Sequence, residues 1–487
     1  MTTPDRESLL RSRFDKAGQG HVFDHYNDLS TDEEKDALLT QLETIEVEKL
    51  SSLLEAAQQQ QQQGVGKDDT TTTATPTITP FSKKVTRITS NDDDDTITIK
   101  ENAQKAGLDA IQHNKVAVLV LAGGQGTRLG FDGPKGMYDI GMPSKSSLFE
   151  MIAHRLTKLA TLATAGEHIV SIPWYIMTSP LNHDVTVQYM EQHKHFALDP
   201  KDVVFFVQGM LPCLTEDGKI IMESANKVAM APDGNGGIYP SLQRSGALED
   251  MKKRGIQYLH VFSIDNALVK PADPVFVGYC INEGADCGNK VLWKSSAHEK
   301  VGVLAERDGK PCIVEYSDIS KEMAEQTDDN GRLLLGAANI CNHFYTIDFL
   351  SDTILPNLGN LYHVARKKIP QYDCKTKTTV TPETNNGIKL ESFIFDVFPL
   401  SKSMSVLDVE RSAEFAPVKN APGKPSDSPD TARAMLSDLS KKWVREAGGV
   451  LKGDLDSICE VSRLTSYAGE GLEVLVKGKE IQCPFQL

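Results

Sequence analysis

The sequence predicts an α/β protein: a mostly parallel or mixed sheet with helices on both faces, a helical region before it and a small β-rich region after it. Three observations point there. Between about residues 116 and 420, short runs rich in β-branched and aromatic residues alternate with helical patterns. The run VAVLV (116–120) is apolar at every position and reads as a buried strand. A glycine-rich segment follows it directly, and in open α/β sheets ligands gather at the carboxyl ends of strands.

Taken in chain order, residues 1–57 read as a small helical appendage. Leu9, Leu10 and Phe14 fall on one helical face, and Thr31 and Glu34 stand in capping-box spacing ahead of Leu38, Leu42 and Ile45. Residues 58–104 read as linker and lead-in: six glutamines (58–63) and GVGKDDTTTTATPTITP (64–80) hold too few apolar residues to offset the entropy of ordering them. NDDDDT (91–96) reads as a solvated loop, because consecutive carboxylates cannot all face one cation. In residues 105–425, SLFEMIAHRLTKLATLA (147–163) and ALEDMKKRG (247–255) are helical, whereas PWYIMTS (173–179), VVFFVQ (203–208) and YLHVFSID (258–265) are strands. Residues 426–487 form a small C-terminal domain beyond PGKPSDSP (422–429). There TARAMLSDLSKKWVREAG (431–448) is helical and EVLVKGKEIQ (473–482) belongs to a β-rich tail.

Composition narrows the function. At roughly 150 residues per domain, 487 residues make about three domains or one large catalytic body with smaller attachments. Lys and Arg number 52 against 67 Asp and Glu, a net charge of −15, so non-specific attraction to nucleic acid or to an anionic membrane is disfavoured. Any phosphate must be held locally. The cysteines are scattered, Cys280 and Cys287 being the closest pair, so neither a zinc ribbon nor a CxxC pair assembles from local spacing, and a reduced compartment follows. The longest apolar run, 116–122, is far too short to span a bilayer. A cytoplasmic protein is expected, and a monomer, since no long heptad or apolar stripe announces a partner.

The segment LAGGQGTRLGFDGPKG (121–136) carries the sharpest chemistry. Gly123, Gly124 and Gly126 place no side chains between backbone amides and a ligand, so their N–H groups can cradle a chain of phosphates, with Arg128 and Lys135 adding cationic donors. The spacing fits neither GxGxxG, which needs glycine where Leu129 stands, nor GxxxxGK[ST], because Lys135 lies between Pro134 and Gly136. Asp265 ends the run 258–264, placing a carboxylate at a strand terminus suited to a hydrated Mg²⁺ (or Mn²⁺) bridging phosphates. Gln208 either closes a strand or pairs with the edge of a base through its amide. Met177, Thr178 and Ser179 are the end of a core strand first and a base pocket second. Phe393 and Phe395, at period two, are core, or one of them is an apolar wall of a pocket.

LAGGQGTRLG followed by PKG resembles the signature of the sugar-nucleotide pyrophosphorylases, and the block 121–141 is similar to their eukaryotic UDP-N-acetylglucosamine branch. Further matches are IPWYIMTS (172–179), QGMLP (208–212), MAPDGNGGIY (230–239), VFSIDN (261–266), EYS (315–317), NICNHF (339–344), GIKLESFIFDVF (387–398) and FAPVKNA (415–421). Together they cover about residues 105 to 430. The resemblance implies a Rossmann-like nucleotidyltransferase core. It implies nucleotide contacts from Leu121, Ala122, Gly123, Gly124, Lys135, Gln208, Gly234, Asp265 and Lys389, with sugar-side contacts from Asn235, Glu315, Tyr316, Asn339 and Lys419. Arg128, Lys135, Asp265 and Lys419 are the implied catalytic residues, and Asp265 the metal ligand.

The reaction so implied joins UTP and N-acetylglucosamine 1-phosphate into UDP-N-acetylglucosamine and pyrophosphate by in-line attack on the α-phosphorus. The nucleophile is already an anion at neutral pH, so positioning and charge neutralisation suffice. Two other readings stand beside it: a UDP-glucose or broad-specificity UDP-sugar enzyme, and a non-catalytic nucleotide-sugar-binding protein. Arg128, Lys135 and Asp265 together argue against the second.

Overall fold

A computed structural model describes residues 3–64, 77–89, 92–164 and 169–487 of the chain. The backbone packs as two compact units, one formed by Met1–Thr77, Gln208–Ser241 and Ile354–Val397, the other by Ile78–Val207, Leu242–Thr353 and Phe398–Leu487.

The larger unit is built on an eleven-stranded sheet: β1 (Ile78–Pro80), β2 (Val85–Ile88), β3 (Val116–Leu121), β4 (Trp174–Thr178), β5 (Val203–Val207), β6 (Tyr258–Ser263), β7 (Cys287–Trp293), β8 (Val303–Arg307), β9 (Lys310–Val314), β10 (Ala337–Thr346) and β11 (Met404–Val409). The order is β2-β11-β7-β10-β6-β3-β4-β5, with β8 joining β10 and carrying β1 and β9. All pairs along that path are parallel except those of β10, which runs antiparallel to β6 and β7. The mixed sheet is therefore as expected. β3 is buried between β4 and β6, which its unbroken apolar sequence requires of a strand covered on both faces.

Helix Leu148–Ala163 starts where Ser147 accepts the Glu150 amide and buries Phe149, Ile152, Leu156 and Leu159 on the sheet. Helices Asp94–Gln112 and Pro274–Asn282 cross closely, because a Cβ on Gly107 would lie 2.0 Å from the Pro274 carbonyl and one on Gly278 1.8 Å from that of Ala103. The tract 91–96 is thus no loop from Asp93 onward: Asp93 accepts the Thr96 amide as the N-cap of the first of these helices, and its acidic residues sit where a helix dipole favours them. Asn91 lies outside the described residues.

The expected C-terminal helix runs Pro429–Glu446 and gives Ala432, Leu436 and Leu439 to the core of the sheet. Its other end, with Val444 and Ala447, closes a smaller core with Cys459, Val461, Leu472, Val476 and Phe485. Only part of the tail is strand. Val450–Gly453 and Glu480–Cys483 pair in parallel, whereas Glu473–Val476 is a helical turn that leaves Val474 exposed and turns Val476 inward.

In the smaller unit the N-terminal helices Thr3–Lys16, Asp32–Glu43 and Leu50–Gly64 are not an appendage. Leu10, Phe14, Leu38 and Leu42 share one core with Leu214, Val228, Ile388 and Leu390, and Gln19 and Gln41 hydrogen-bond the backbone at Ile220 and Val228. The capping box at Thr31 and Glu34 forms as expected, but Leu9 faces outward while Leu10 and Phe14 are buried. The glutamines at 58–63 continue the third helix instead of opening a linker, since glutamine is a good helix former once a packed helix leads into it. The following stretch, 65–76, lies outside the described residues. No helix among the described residues is long and apolar enough to cross a membrane.

Candidate functional site

In the larger unit the carboxyl ends of β4, β3 and β6 lie side by side, in register from Met177 to Leu121 to Ser263. Three expected segments therefore meet at one edge: Thr178 and Ser179 after β4, the glycine loop after β3, and Asp265 after β6. The loop is a folded structure with internal bonds. The Lys135 amide donates to the Gly124 carbonyl at 3.1 Å, and the Gly126 amide to that of Gly133 at 2.8 Å. The amide of Gly126 is thereby spent on the loop itself, contrary to expectation, and a Cβ there would strike Phe131 at 2.7 Å. Ala122 likewise donates to Met177, and the Leu121 carbonyl accepts from Ile264, so these two shape the strand ends.

The amides of Gly123 and Gly124 have no acceptor among the described residues. Gly124 is exposed, lies outside the left-handed region, and a Cβ on it would meet nothing within 4 Å. The fold does not demand glycine at 124. A methyl group there would narrow the approach to the two free amides.

Asn182, which sequence reasoning missed, holds this loop. Its side-chain amide donates to the carbonyl of Ala122 at 3.0 Å, while its oxygen accepts from the Ser179 amide at 2.8 Å and hydroxyl at 3.1 Å. Thr178 is fully buried and bonded to His183 and the Phe206 carbonyl. The 177–179 segment is thus a strand end that braces the loop.

Arg128 and Lys419 are exposed and Lys135 half-buried, and none of the three forms an ion pair among the described residues. Their charges converge nevertheless. Burial depresses the Lys135 ammonium below the usual lysine range, the positive charges of Lys419 and Arg128 depress it further, and Asp265 opposes them. Lys419 follows a segment stitched to Asp265, where the Val418 amide donates to the Asp265 carbonyl at 2.8 Å. In a chain of net charge −15, unpaired cations gathered around one carboxylate make a local positive potential able to attract an anion.

The antiparallel β10 starts beside this edge. Cys341, not singled out from the sequence, has its thiol pushed up to about 12, mainly by burial, with Asp265 raising it and Lys419 lowering it. Asn339 donates its amide to the Gly302 carbonyl at 2.9 Å. A Cβ on Gly302 would stand 3.0 Å from Glu315 Oε1, so Gly302 admits the Glu315 carboxylate next to Asn339. Partial burial and Asp318 raise the Glu315 carboxyl. Glu315 and Tyr316 lie just past the end of β9, both exposed.

The remaining expected residues belong to the smaller unit. Gln208 donates its side-chain amide to the Gly234 carbonyl at 2.6 Å, leaving its oxygen for other partners. Gly234 has φ +85°, and a Cβ would fall 2.1 Å from the Ser392 carbonyl. At both Gly234 and Gly236 the 392–393 segment leaves no room for a Cβ, so the chain itself requires glycine there. Asn235 Oδ1 accepts the Ile394 amide at 3.0 Å. Lys389 projects half-buried from strand Gly387–Glu391, where its charge acts on the Cys213 thiol. Phe393 and Phe395 are not core: their rings stack 5.2 Å apart, nearly parallel, with Phe393 exposed and the His363 ring beside it.

A family profile described as UTP–glucose-1-phosphate uridylyltransferase matches residues 62–454. UDP-N-acetylhexosamine pyrophosphorylase-like protein 1 of Mus musculus is 42% identical over 99% of this chain and 97% of its own. UDP-N-acetylglucosamine pyrophosphorylase of Saccharomyces cerevisiae is 40% identical over 96% of each. Among solved structures, the uridine diphosphate N-acetylglucosamine pyrophosphorylase of Trypanosoma brucei, in complex with an inhibitor, superposes with a TM-score of 0.83 at 29% identity, covering 97% of this chain and 95% of that one. The glycine loop, its cations and the sheet that carries them thus lie within a match spanning most of the chain, which belongs to the UTP–glucose-1-phosphate uridylyltransferase family.

Proposed function

We propose that this protein is a uridylyltransferase that converts UTP and N-acetylglucosamine 1-phosphate to UDP-N-acetylglucosamine and pyrophosphate, reversibly. The observation that carries the reading is the set of unpaired cations, Arg128, Lys135 and Lys419, gathered with Asp265 beside the free amides of Gly123 and Gly124. Relatives about 40% identical over nearly the whole chain bear UDP-N-acetylhexosamine or UDP-N-acetylglucosamine names, which supports the choice of sugar.

In this reading the amides of Gly123 and Gly124, with Arg128, take the leaving β- and γ-phosphates. Lys135 stabilises the α-phosphate and Lys419 draws in the sugar phosphate. An oxygen of the sugar phosphate attacks the α-phosphorus in line, and pyrophosphate departs. The nucleophile needs no base, so the residues bind, align and neutralise. Glu315, Tyr316, Asn339 and Asn235 contact the sugar; Gln208, Gly234 and Lys389 contact the nucleotide.

The donor set at Asp265 fits a small hard cation. One carboxylate stands at the strand end, and no group of three His, Cys, Asp or Glu side chains able to hold a metal occurs among the described residues. Phosphate oxygens and water would complete the shell, which is how Mg²⁺ is commonly held. Bound there, Mg²⁺ or Mn²⁺ would supply neutralisation of phosphate charge.

Pyrophosphate release with UTP and a panel of sugar 1-phosphates tests the reading. Preference for N-acetylglucosamine 1-phosphate is expected. Preference for glucose 1-phosphate would make it a UDP-glucose enzyme, and UTP binding without turnover on any sugar would make it a binding protein.

A further inference from the structure

Asn266 follows Asp265 and is almost fully buried, with a role that lies outside the reaction as described. Its side-chain oxygen accepts two backbone amides, from Ala416 at 2.9 Å and Leu268 at 3.2 Å, and its side-chain nitrogen donates to the Glu414 carbonyl at 2.8 Å. Two acceptor contacts and one donor contact admit one amide orientation, and only asparagine among short side chains supplies both kinds of atom. Backbone bonds continue the join: Ala267 to the Ala416 carbonyl at 3.1 Å, Val418 to the Asp265 carbonyl at 2.8 Å, and a bridge between Asn266 and Pro417. The segment leading to Lys419 is thereby laid along the one that begins with Asp265.

The far end of this join is anchored. The Glu414 carboxylate meets Lys270 at 2.6 Å and the fully buried Lys290 at 3.1 Å, and Lys290 also meets Asp273 at 2.5 Å. A pair of carboxylates satisfied by the buried Lys290, with the half-buried Lys270 on one of them, has little freedom to shift, so residue 414 is a fixed point from which residues 415–419 extend. Beyond Val418 the chain turns outward, and the exposed Lys419 keeps its amide on the Asp427 carbonyl at 2.7 Å.

We infer that Asn266 is a positioning residue: a clasp that sets Lys419 against Asp265, so that sugar phosphate is delivered at a defined distance from the nucleotide phosphate. The inference rests on the roles proposed above for Asp265 and Lys419. Displacement of a reacting group by about 1 Å can cost roughly 10²-fold in rate, so losing the clasp should be felt in turnover while UTP still binds.

The test is a double-mutant cycle on the full chain, with UTP and N-acetylglucosamine 1-phosphate as substrates, run well below the melting temperature of each variant. Asn266→Ala should lower kcat/KM for the sugar phosphate by about 10- to 100-fold, with KM for UTP within about threefold of wild type. Combined with Lys419→Ala, it should cost less than about threefold beyond the lower single variant, because a clasp has nothing to deliver once the ammonium is gone. Asn266→Asp keeps both acceptor contacts and loses the donor, so it should fall between Ala and wild type, and it carries the same cycle if the alanine variant does not fold. Effects that multiply across the cycle, or a KM for UTP raised as much as the KM for the sugar phosphate, would overturn the clasp alone. Wild-type turnover in Lys419→Ala would instead overturn the underlying reading.

Discussion

Gly124→Ala separates what the fold needs from what the ligand needs. A methyl group at 124 would find nothing within 4 Å, and the backbone lies outside the left-handed region, so the folded chain tolerates it. Restricting the unfolded chain then favours folding by about 0.4–1 kcal/mol, and the melting temperature should hold or rise slightly. The same methyl stands where the phosphates must approach the amides of Gly123 and Gly124. Weakening one such donor set costs roughly 10²-fold in kcat/KM, or about 2.7 kcal/mol of transition-state stabilisation. Gly126→Ala has the opposite profile. Its Cβ would lie 2.7 Å from the Phe131 ring and 3.1 Å from the Gly133 carbonyl, so overpacking should destabilise the loop by about 1–3 kcal/mol. Continuous pyrophosphate release and thermal melting, measured on both variants, read the two effects separately. Wild-type kcat/KM in a stable Gly124→Ala protein would refute the cradle, and a lowered melting temperature there would refute the open-space argument.

Lys135→Ala should lower kcat by roughly 10² to 10³ with the fold intact, measured by turnover at saturating substrates beside a melting curve. Because burial depresses the Lys135 ammonium, it loses its charge below the ordinary lysine value of 10.5, and activity should fall as pH rises through that point. Lys135→Arg should move this alkaline limb upward, and an unmoved limb would assign it to another group. Lys419→Ala should raise KM for the sugar phosphate while UTP binding, followed by calorimetry, stays nearly unchanged. His260, fully buried, accepts the Ala272 amide on Nδ1 at 2.9 Å and faces Asn342 through Nε2; burial, helped by the Lys290 charge, holds its pKa down at about 4 against the opposing Asn342 bond and Asp273. The unfolded chain binds that proton near 6.5 and the folded chain only near 4, so stability should fall with pH across this window, by roughly 3 kcal/mol from this residue. Urea unfolding at stepped pH should show a shallower decline for His260→Gln; an unchanged slope would place the titration elsewhere.

Much of the larger unit was legible because its signals are local. The strand 116–120 announces itself by unbroken apolar residues, and helix 147–163 by its period and its Ser147 cap, both consequences of backbone geometry within a few residues. The glycine loop is legible for the same reason, since a strand, small residues and two cations are contiguous. What misled were segments whose state depends on partners. The glutamines at 58–63 look like linker by composition, but the apolar helix that leads into them is packed, and they continue it. The acidic run at 91–96 looks solvated, and the helix it caps gains its hold through Gly107 against Pro274, far away in sequence.

By itself the sequence determined the alternation of strand and helix, the glycine-rich turn of residues 121–136 that is proposed above to hold phosphates, and the cations contiguous with it. Residue type and near-neighbour spacing are enough for those. Tertiary structure alone decided which amides remain to bind: Gly126 spends its own on Gly133, whereas Gly123 and Gly124 keep theirs. It decided too that Asn182 and Asn266 matter, because an asparagine earns a role only through the backbone groups that long-range packing brings within about 3 Å of its amide.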